Sequence, residues 1–209
     1  MAVSDPTIDR RILVSARREF LANGFDKTSL NAICQGAGIT TGALYKRYRG
    51  KEDLFCAVVA GTVSDLEAVV EERRAQDVHA LTDAQLIHAW EMDEADMLWW
   101  FRFLHTRRED FVLLLTCADG TAYRNFQHDW VAKMTEATGA YLAEAQRRNL
   151  CRRDVGPEEL HILLTAFWAT IYEPFIHGFT WEQMEAHVRL VCRLFCWKDT
   201  LQFRMAPRP

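Results

Sequence analysis

The chain of 209 residues lacks the short motifs that announce most enzymes. It has no glycine-rich phosphate loop, no Gly-x-Ser-x-Gly elbow and no run of metal-ligand spacing, so nothing places a nucleotide, a nucleophile or a catalytic ion. An enzyme is the rival class, and no residue pattern asks for it; no cofactor is expected. No apolar run approaches the ~20 residues of a membrane helix, and the opening Met-Ala-Val-Ser-Asp-Pro lacks the h-region of a signal peptide. The expected location is cytoplasmic, with no membrane partner. Six cysteines are present without a Cys-x2-Cys framework. Period-2 strand segments, internal repeats and low-complexity linkers are missing too.

What remains is helix. Hydrophobic residues make up 49% of the chain, enough for a sizeable core in one or two domains. Asp5-Pro6 predicts a first helix running to about Asn23, with proline where its missing N–H costs nothing. Two short helices follow over 28–48, then a long one from Lys51 to about Val78. Further helical patterns cover 82–104, 108–118, 121–149, 157–178 and 181–201, with a tail from Arg204. The fold class is all-α, with about nine helices. Net charge is −4, but it is unevenly placed. Residues 1–55 hold nine Lys/Arg against six Asp/Glu, while 56–209 hold sixteen against twenty-three. The basic segment is an electrostatic footprint suited to nucleic acid.

That segment carries the most informative pattern. Leu30 and Ile33 give an apolar face to a short helix, and Gly36-Ala37-Gly38-Ile39 reads as a turn with Gly38 at positive φ. Thr40 is placed to cap the next helix. There Thr41, Gly42, Tyr45 and Lys46 face outward while Leu44 and Tyr48 reach back to the core. Two short helices joined through a glycine turn form a helix-turn-helix, whose second helix enters the DNA major groove.

Residues 8–55 resemble the N-terminal domain of the TetR family of transcriptional regulators. The matching positions are Ile12, Ala16, Phe20, Gly24 and Phe25, then Thr28, Ile33, Ala37-Gly38-Ile39, Gly42, Leu44-Tyr45 and Tyr48, closing on Lys51-Glu52 and Leu54-Phe55. Two positions depart from the pattern. Gly50 stands where Ser or Asn commonly caps the fourth helix, and Arg49 stands where Pro or Lys is frequent. The resemblance implies a helix-turn-helix domain over 1–50 and a helical ligand-binding and dimerisation domain over 51–209. It implies a regulator, a repressor more often than an activator, released from DNA by a small inducer.

Residue chemistry then assigns candidate roles. Thr41, Tyr45 and Lys46 are candidates for base edges, Gly42 for close backbone approach, and Thr28, Tyr48 and Lys51 for phosphate. Thr28 reads equally as a cap and Tyr48 as core. The helices over 157–178 and 181–201 are apolar around much of their girth; by resemblance they pair with their copies in a homodimer. Such a dimer would read a palindromic operator in double-stranded DNA. Trp100, Phe103, Phe111, Trp130, Met134, Phe167, Trp168 and Tyr172 are candidate walls of an inducer pocket, or ordinary core. Such walls suit an aromatic or largely apolar ligand.

Polar clues are weaker. Glu91, Asp93, Glu94 and Asp96 offer a cation site or a solvated helix face. His105, His128, His161 and His177 form no recognised metal or haem spacing; Glu173 and His177 read as an ion pair on a helix surface. Cys192 and Cys196 lie four apart, as redox reporters or as small hydrophobes.

Overall fold

Five of the helices begin at a side chain that caps them, and the break points decide the architecture. The computed structural model describes residues 6–204. Their helices are α1 (Pro6–Lys27), α2 (Leu30–Ala37), α3 (Thr41–Tyr45), α4 (Lys51–Ala75), α5 (Asp83–His88), α6 (Glu94–His105), α7 (Arg108–Thr116), α8 (Phe126–Arg147), α9 (Pro157–Ile176), α10 (Trp181–Leu194) and α11 (Trp197–Thr200). No strand occurs among the described residues. The all-α class expected from the sequence is what forms. Asp5, expected as the first cap, and the tail beyond Arg204 lie outside the described residues. The chain divides into two compact units: residues up to Leu66 with Arg107–Phe126, and Glu67–Thr106 with the residues from Gln127 onward.

In the first unit Ile12, Ala16 and Phe20 repeat every four residues along α1 and are fully buried. Buried with them are Ile33 and Ala37 of α2, Leu44 of α3 and Leu54, Phe55 and Val59 of α4. The rings of Phe20 and Phe55 meet edge to face at 5.2 Å. A kink at Gly24 (φ 72°) ends the main run of α1. Ser29 caps α2, its hydroxyl accepting from the Asn31 N–H at 3.2 Å. Gly38 closes α2 in the left-handed conformation (φ 64°, ψ 42°), where a Cβ would clash with its own backbone. Gly36 serves differently from the expected turn residue: it lies within α2, at a close crossing with α1. A Cβ there would stand 2.3 Å from Ser15 Oγ, whose hydroxyl donates to the Ile33 carbonyl at 3.0 Å. The helix α7 is tied to α1 by a two-point pair, Arg17 Nε to Asp110 Oδ1 at 2.5 Å and Arg17 Nη2 to Oδ2 at 3.0 Å.

The second unit departs from the sequence pattern at three places. The run expected over 82–104 is two helices. Asp93 and Asp96 form a reciprocal capping box that starts α6 afresh, and the residues before it swing Trp90 into the core beside Trp197, 6.2 Å away. The run expected from Thr121 begins at Phe126, because the Thr121 hydroxyl donates to the Ala118 carbonyl at 2.7 Å and holds a turn. The last helix stops at Leu194, since Phe195 (φ −110°, ψ 68°) leaves the helical region and lets Trp197 pack 5.5 Å from Phe167. Cys196 is consequently off α10, and the four-residue spacing to Cys192 does not put the pair on one helical face. Burial and the carboxylates of Glu94, Asp93 and Asp96 push the Cys192 thiol up, away from a reactive thiolate.

Two polar devices hold this unit. Pro174 sits inside α9 and brings no N–H, so the Thr170 carbonyl four residues earlier loses its helical donor. His187 of α10 takes that place, its Nε2 2.8 Å from the Thr170 oxygen and therefore carrying the proton. Glu144 on α8 gathers Arg147 (2.6 Å), Arg148 (2.6 Å) and His79 (3.0 Å). Arg148 continues to the Leu81 carbonyl at 2.7 Å and the His79 carbonyl at 3.0 Å, fastening the α4–α5 connection onto α8. Hydrogen bonds from Arg147 and Arg148 hold the Glu144 carboxyl well below the usual carboxylate range.

Candidate nucleic-acid interface and ligand cavity

The helix α3 is anchored from behind and bare in front. Leu44 is fully buried. The Thr40 hydroxyl accepts from the Ala43 N–H at 3.2 Å. Arg47 donates to the Ala43 carbonyl at 3.2 Å and pairs with Asp9 of α1 at 2.7 Å. On the other side Thr41, Gly42, Tyr45 and Lys46 are all exposed, with Tyr45 at 58%. A Cβ at Gly42 would find nothing nearer than Thr40 Oγ1 at 3.9 Å. The fold therefore does not need glycine there, although glycine in a helix costs about 1 kcal/mol relative to alanine. Three exposed arginines of α1, Arg10, Arg11 and Arg18, line a shallow groove that ends against Gly36. Sequence reasoning named none of them; their recurrence along α1 in a basic segment was the available signal.

Of the three expected phosphate contacts, Thr28 and Lys51 bond within the fold and Tyr48 is half-buried. Thr28 is buried, and its hydroxyl donates to the Gly24 carbonyl at 2.7 Å and the Glu19 carbonyl at 3.0 Å, closing the end of α1. It is neither a free donor nor the cap of α2, which is Ser29. Lys51 Nζ donates to the Asp26 carbonyl at 2.9 Å and the Thr28 carbonyl at 3.3 Å, and lies 4.6 Å from the centre of the Phe25 ring. It ties the start of α4 to the α1–α2 connection. Tyr48 is half-buried, and burial with the Asp9 carboxylate pushes its hydroxyl up. At the start of α4, Gly50 has no side chain to cap with; Asp53 Oδ2 reaches back to the Arg49 N–H at 2.9 Å.

The second unit contains a cavity of about 430 Å³, within the range of small-molecule sites. Of the eight expected wall residues it brings together Trp100, Trp130, Met134, Phe167 and Trp168. Phe103 does not line it and stacks on Trp99 at 5.2 Å instead. Tyr172 lies outside the wall, 6.1 Å from Trp168. Phe111 is core of the first unit, fully buried and 6.5 Å from Phe126.

Against this geometry the comparisons are consistent. Residues 12–58 match the family described as bacterial regulatory proteins, tetR family. That match spans α2 and α3 with parts of α1 and α4. The N-terminal segment is similar to the HTH-type transcriptional regulator UidR of Escherichia coli strain K12, 43% identical over 49 residues. That match takes in 23% of this chain and spans about a quarter (25%) of the curated relative's length. The whole fold resembles the TetR-family regulator PfmR from Thermus thermophilus, with TM-score 0.61 and 18% identity over 94% of this chain and 100% of that one. It also resembles FadR from Bacillus subtilis in complex with stearoyl-CoA, with TM-score 0.58 and 12% identity over 89% of this chain and 96% of that one.

The cavity also holds residues that the sequence pattern did not single out. Trp90, Trp99 and Trp197 join the wall, as do Val69, Glu72 and Arg73 of α4. Trp197 was unreadable as a wall residue because the helix break before it has no proline or glycine to mark it. Glu91 borders the cavity, but it is engaged by Lys198 at 2.5 Å and His88 at 2.7 Å, and those hydrogen bonds lower its pKa. Glu173 and His177 pair at 3.3 Å on the exposed side of α9. Among the described residues no cluster of three His, Cys, Asp or Glu side chains is placed to hold a metal, and no helix is long and apolar enough to cross a membrane.

Proposed function

We propose that this protein is a ligand-responsive, sequence-specific DNA-binding transcriptional regulator, acting in the cytoplasm as a repressor. The observation that carries the reading is the bare face of α3 within a TetR-type domain. There Thr41, Gly42, Tyr45 and Lys46 present hydroxyl, backbone, aromatic and cationic groups that the fold itself does not use. Lys46 donates to guanine edges or phosphate, and the groove of Arg10, Arg11 and Arg18 adds phosphate charge. In this reading residues 1–50 form the DNA-reading domain and 51–209 the ligand-binding and dimerisation domain.

The protein works as a homodimer through α9 and α10. Ile162 on α9 is 61% exposed, and Leu190 and Leu194 on α10 are 63% and 70% exposed, leaving apolar surface that a second copy would cover. A twofold dimer presents two α3 helices to half-sites of a palindrome. The tryptophan cavity holds a small, largely apolar or aromatic inducer. Its walls include Val69, Glu72 and Arg73 of α4, so occupancy acts on the helix that begins at Lys51. By linkage, an inducer that weakens DNA binding is itself bound more weakly in the DNA complex, by the same factor.

The test is a Tyr45→Ala/Lys46→Ala double variant assayed for binding to duplex DNA, with folding and dimerisation checked by circular dichroism and sedimentation. The reading expects loss of sequence-specific binding with the dimer intact. Unchanged binding by the folded variant would remove α3 from the interface.

A further inference from the structure

Six of the chain's seven tryptophans line one cavity, and a cation stands in the same wall. Arg73 extends from α4 with its guanidinium 4.2 Å from the centre of the Tyr141 ring, while the Tyr141 hydroxyl donates to the Arg73 backbone carbonyl at 3.1 Å. Its Nε is buried and has no acceptor, and among the described residues no carboxylate pairs with it. A second donor of the wall, Trp90 Nε1, is also buried without an acceptor. The two carboxylates on the wall do not compensate: Glu72 is exposed, and Glu91 is engaged by Lys198 and His88. Burial lowers the Arg73 pKa, yet a guanidinium keeps its charge in proteins.

An unpaired, partly desolvated cation in an apolar wall is unfavourable until an anion joins it. We propose that the cavity binds a compact, flat aromatic carboxylate, its carboxylate paired with the Arg73 guanidinium and its rings among the indoles. This inference rests on the proposed ligand-binding role of the cavity and names the chemistry of the ligand. A monoanion matches the single charge, whereas a phosphate dianion would leave charge uncompensated. A cationic ligand would enter beside an unneutralised guanidinium. The indole walls favour rings over an alkyl chain, with Trp130 and Trp168 tilted by 42° at 5.5 Å. The fork of Arg73 suits the planar, two-oxygen geometry of a carboxylate.

The experiment is isothermal titration calorimetry of the full chain, at fixed salt and pH 7.5, with three probes that share one ring system: 2-naphthoate, 2-naphthylmethanol and 2-naphthylmethylammonium. The inference expects naphthoate to bind at least tenfold more tightly than the alcohol, and the ammonium more weakly than the alcohol. Arg73→Gln should bring naphthoate and alcohol to within about twofold while leaving the alcohol's affinity unchanged, and Arg73→Lys should keep part of the preference. The alcohol or ammonium binding as tightly as naphthoate would overturn the inference, as would a naphthoate preference that survives in Arg73→Gln. If Arg73→Gln fails to fold, the ranking of the three probes on the unmodified chain still decides. Binding of none of the three would overturn the cavity's ligand role itself, and this inference with it.

Discussion

Replacing His187 by Ala should destabilise the protein far more than its half-buried position suggests, because the cost is set by Pro174. The proline leaves the Thr170 carbonyl without a helical donor, and His187 Nε2 at 2.8 Å supplies one from α10. Stranding that acceptor costs about 1–3 kcal/mol. Lost ring contacts with Phe101 (6.1 Å) and Phe179 (6.0 Å) add about 0.5–1.5 kcal/mol. A fall in Tm of roughly 3–18 °C follows, at about 2–4 °C per kcal/mol for a chain of this length. The decisive assay is a double-mutant cycle with Pro174→Ala, followed by urea unfolding at one protein concentration. Alanine at 174 restores the N–H, so His187→Ala should then lose most of its hydrogen-bond cost, giving a coupling of about 1–2 kcal/mol. Equal costs in the two backgrounds, within about 0.5 kcal/mol, would refute the exchange of donors.

Gly36→Ala should destabilise by about 1–3 kcal/mol, because its Cβ would stand 2.3 Å from Ser15 Oγ and break the Ser15–Ile33 bond; chemical denaturation checks it. Phe111→Ala should cost about 3–5 kcal/mol in the same assay yet leave the affinity for cavity ligands unchanged, since Phe111 is not in the wall. Lys46→Ala should weaken DNA binding and lower the salt slope by about one, measured by fluorescence anisotropy over a salt series. Lys51→Ala should instead lower stability, because its ammonium holds the Asp26 and Thr28 carbonyls. Glu144 is held as a carboxylate by arginines in the folded state, so its contribution is full above its unfolded pKa, near 4.5, and fades as pH falls below it. Glu144→Gln should accordingly take up close to one proton fewer on unfolding below about pH 4.5, read from urea midpoints across pH.

The reading domain was legible because its instructions are local. The left-handed Gly38 and the capping Thr40 each act within a few residues and were placed from the residues themselves, while the four-residue repeat of Ile12, Ala16 and Phe20 was placed by the family resemblance. The roles of Thr28 and Lys51 were not, because their polar atoms are engaged by backbone carbonyls, those of Glu19 and Asp26 lying at sequence distances that no helical period relates to them. The same holds for Gly36, where the demand comes from a second helix. In the ligand cavity the tryptophans were visible as a composition, but which of them share a wall depended on breaks at 89–93 and 195–196 that tertiary packing imposes. Arg73 was hidden for a different reason: a charged residue near the end of a long helix reads as solvated, and only packing against Tyr141 turns it inward.

The central claim is that α3 reads DNA in a twofold assembly. Selection of bound sites from a random duplex library with the purified protein, at a stated salt concentration, tests it most directly. The account predicts enrichment of a palindrome whose half-site centres lie one helical turn, or a multiple, apart. No enrichment of any sequence by the folded, ligand-free dimer would contradict it.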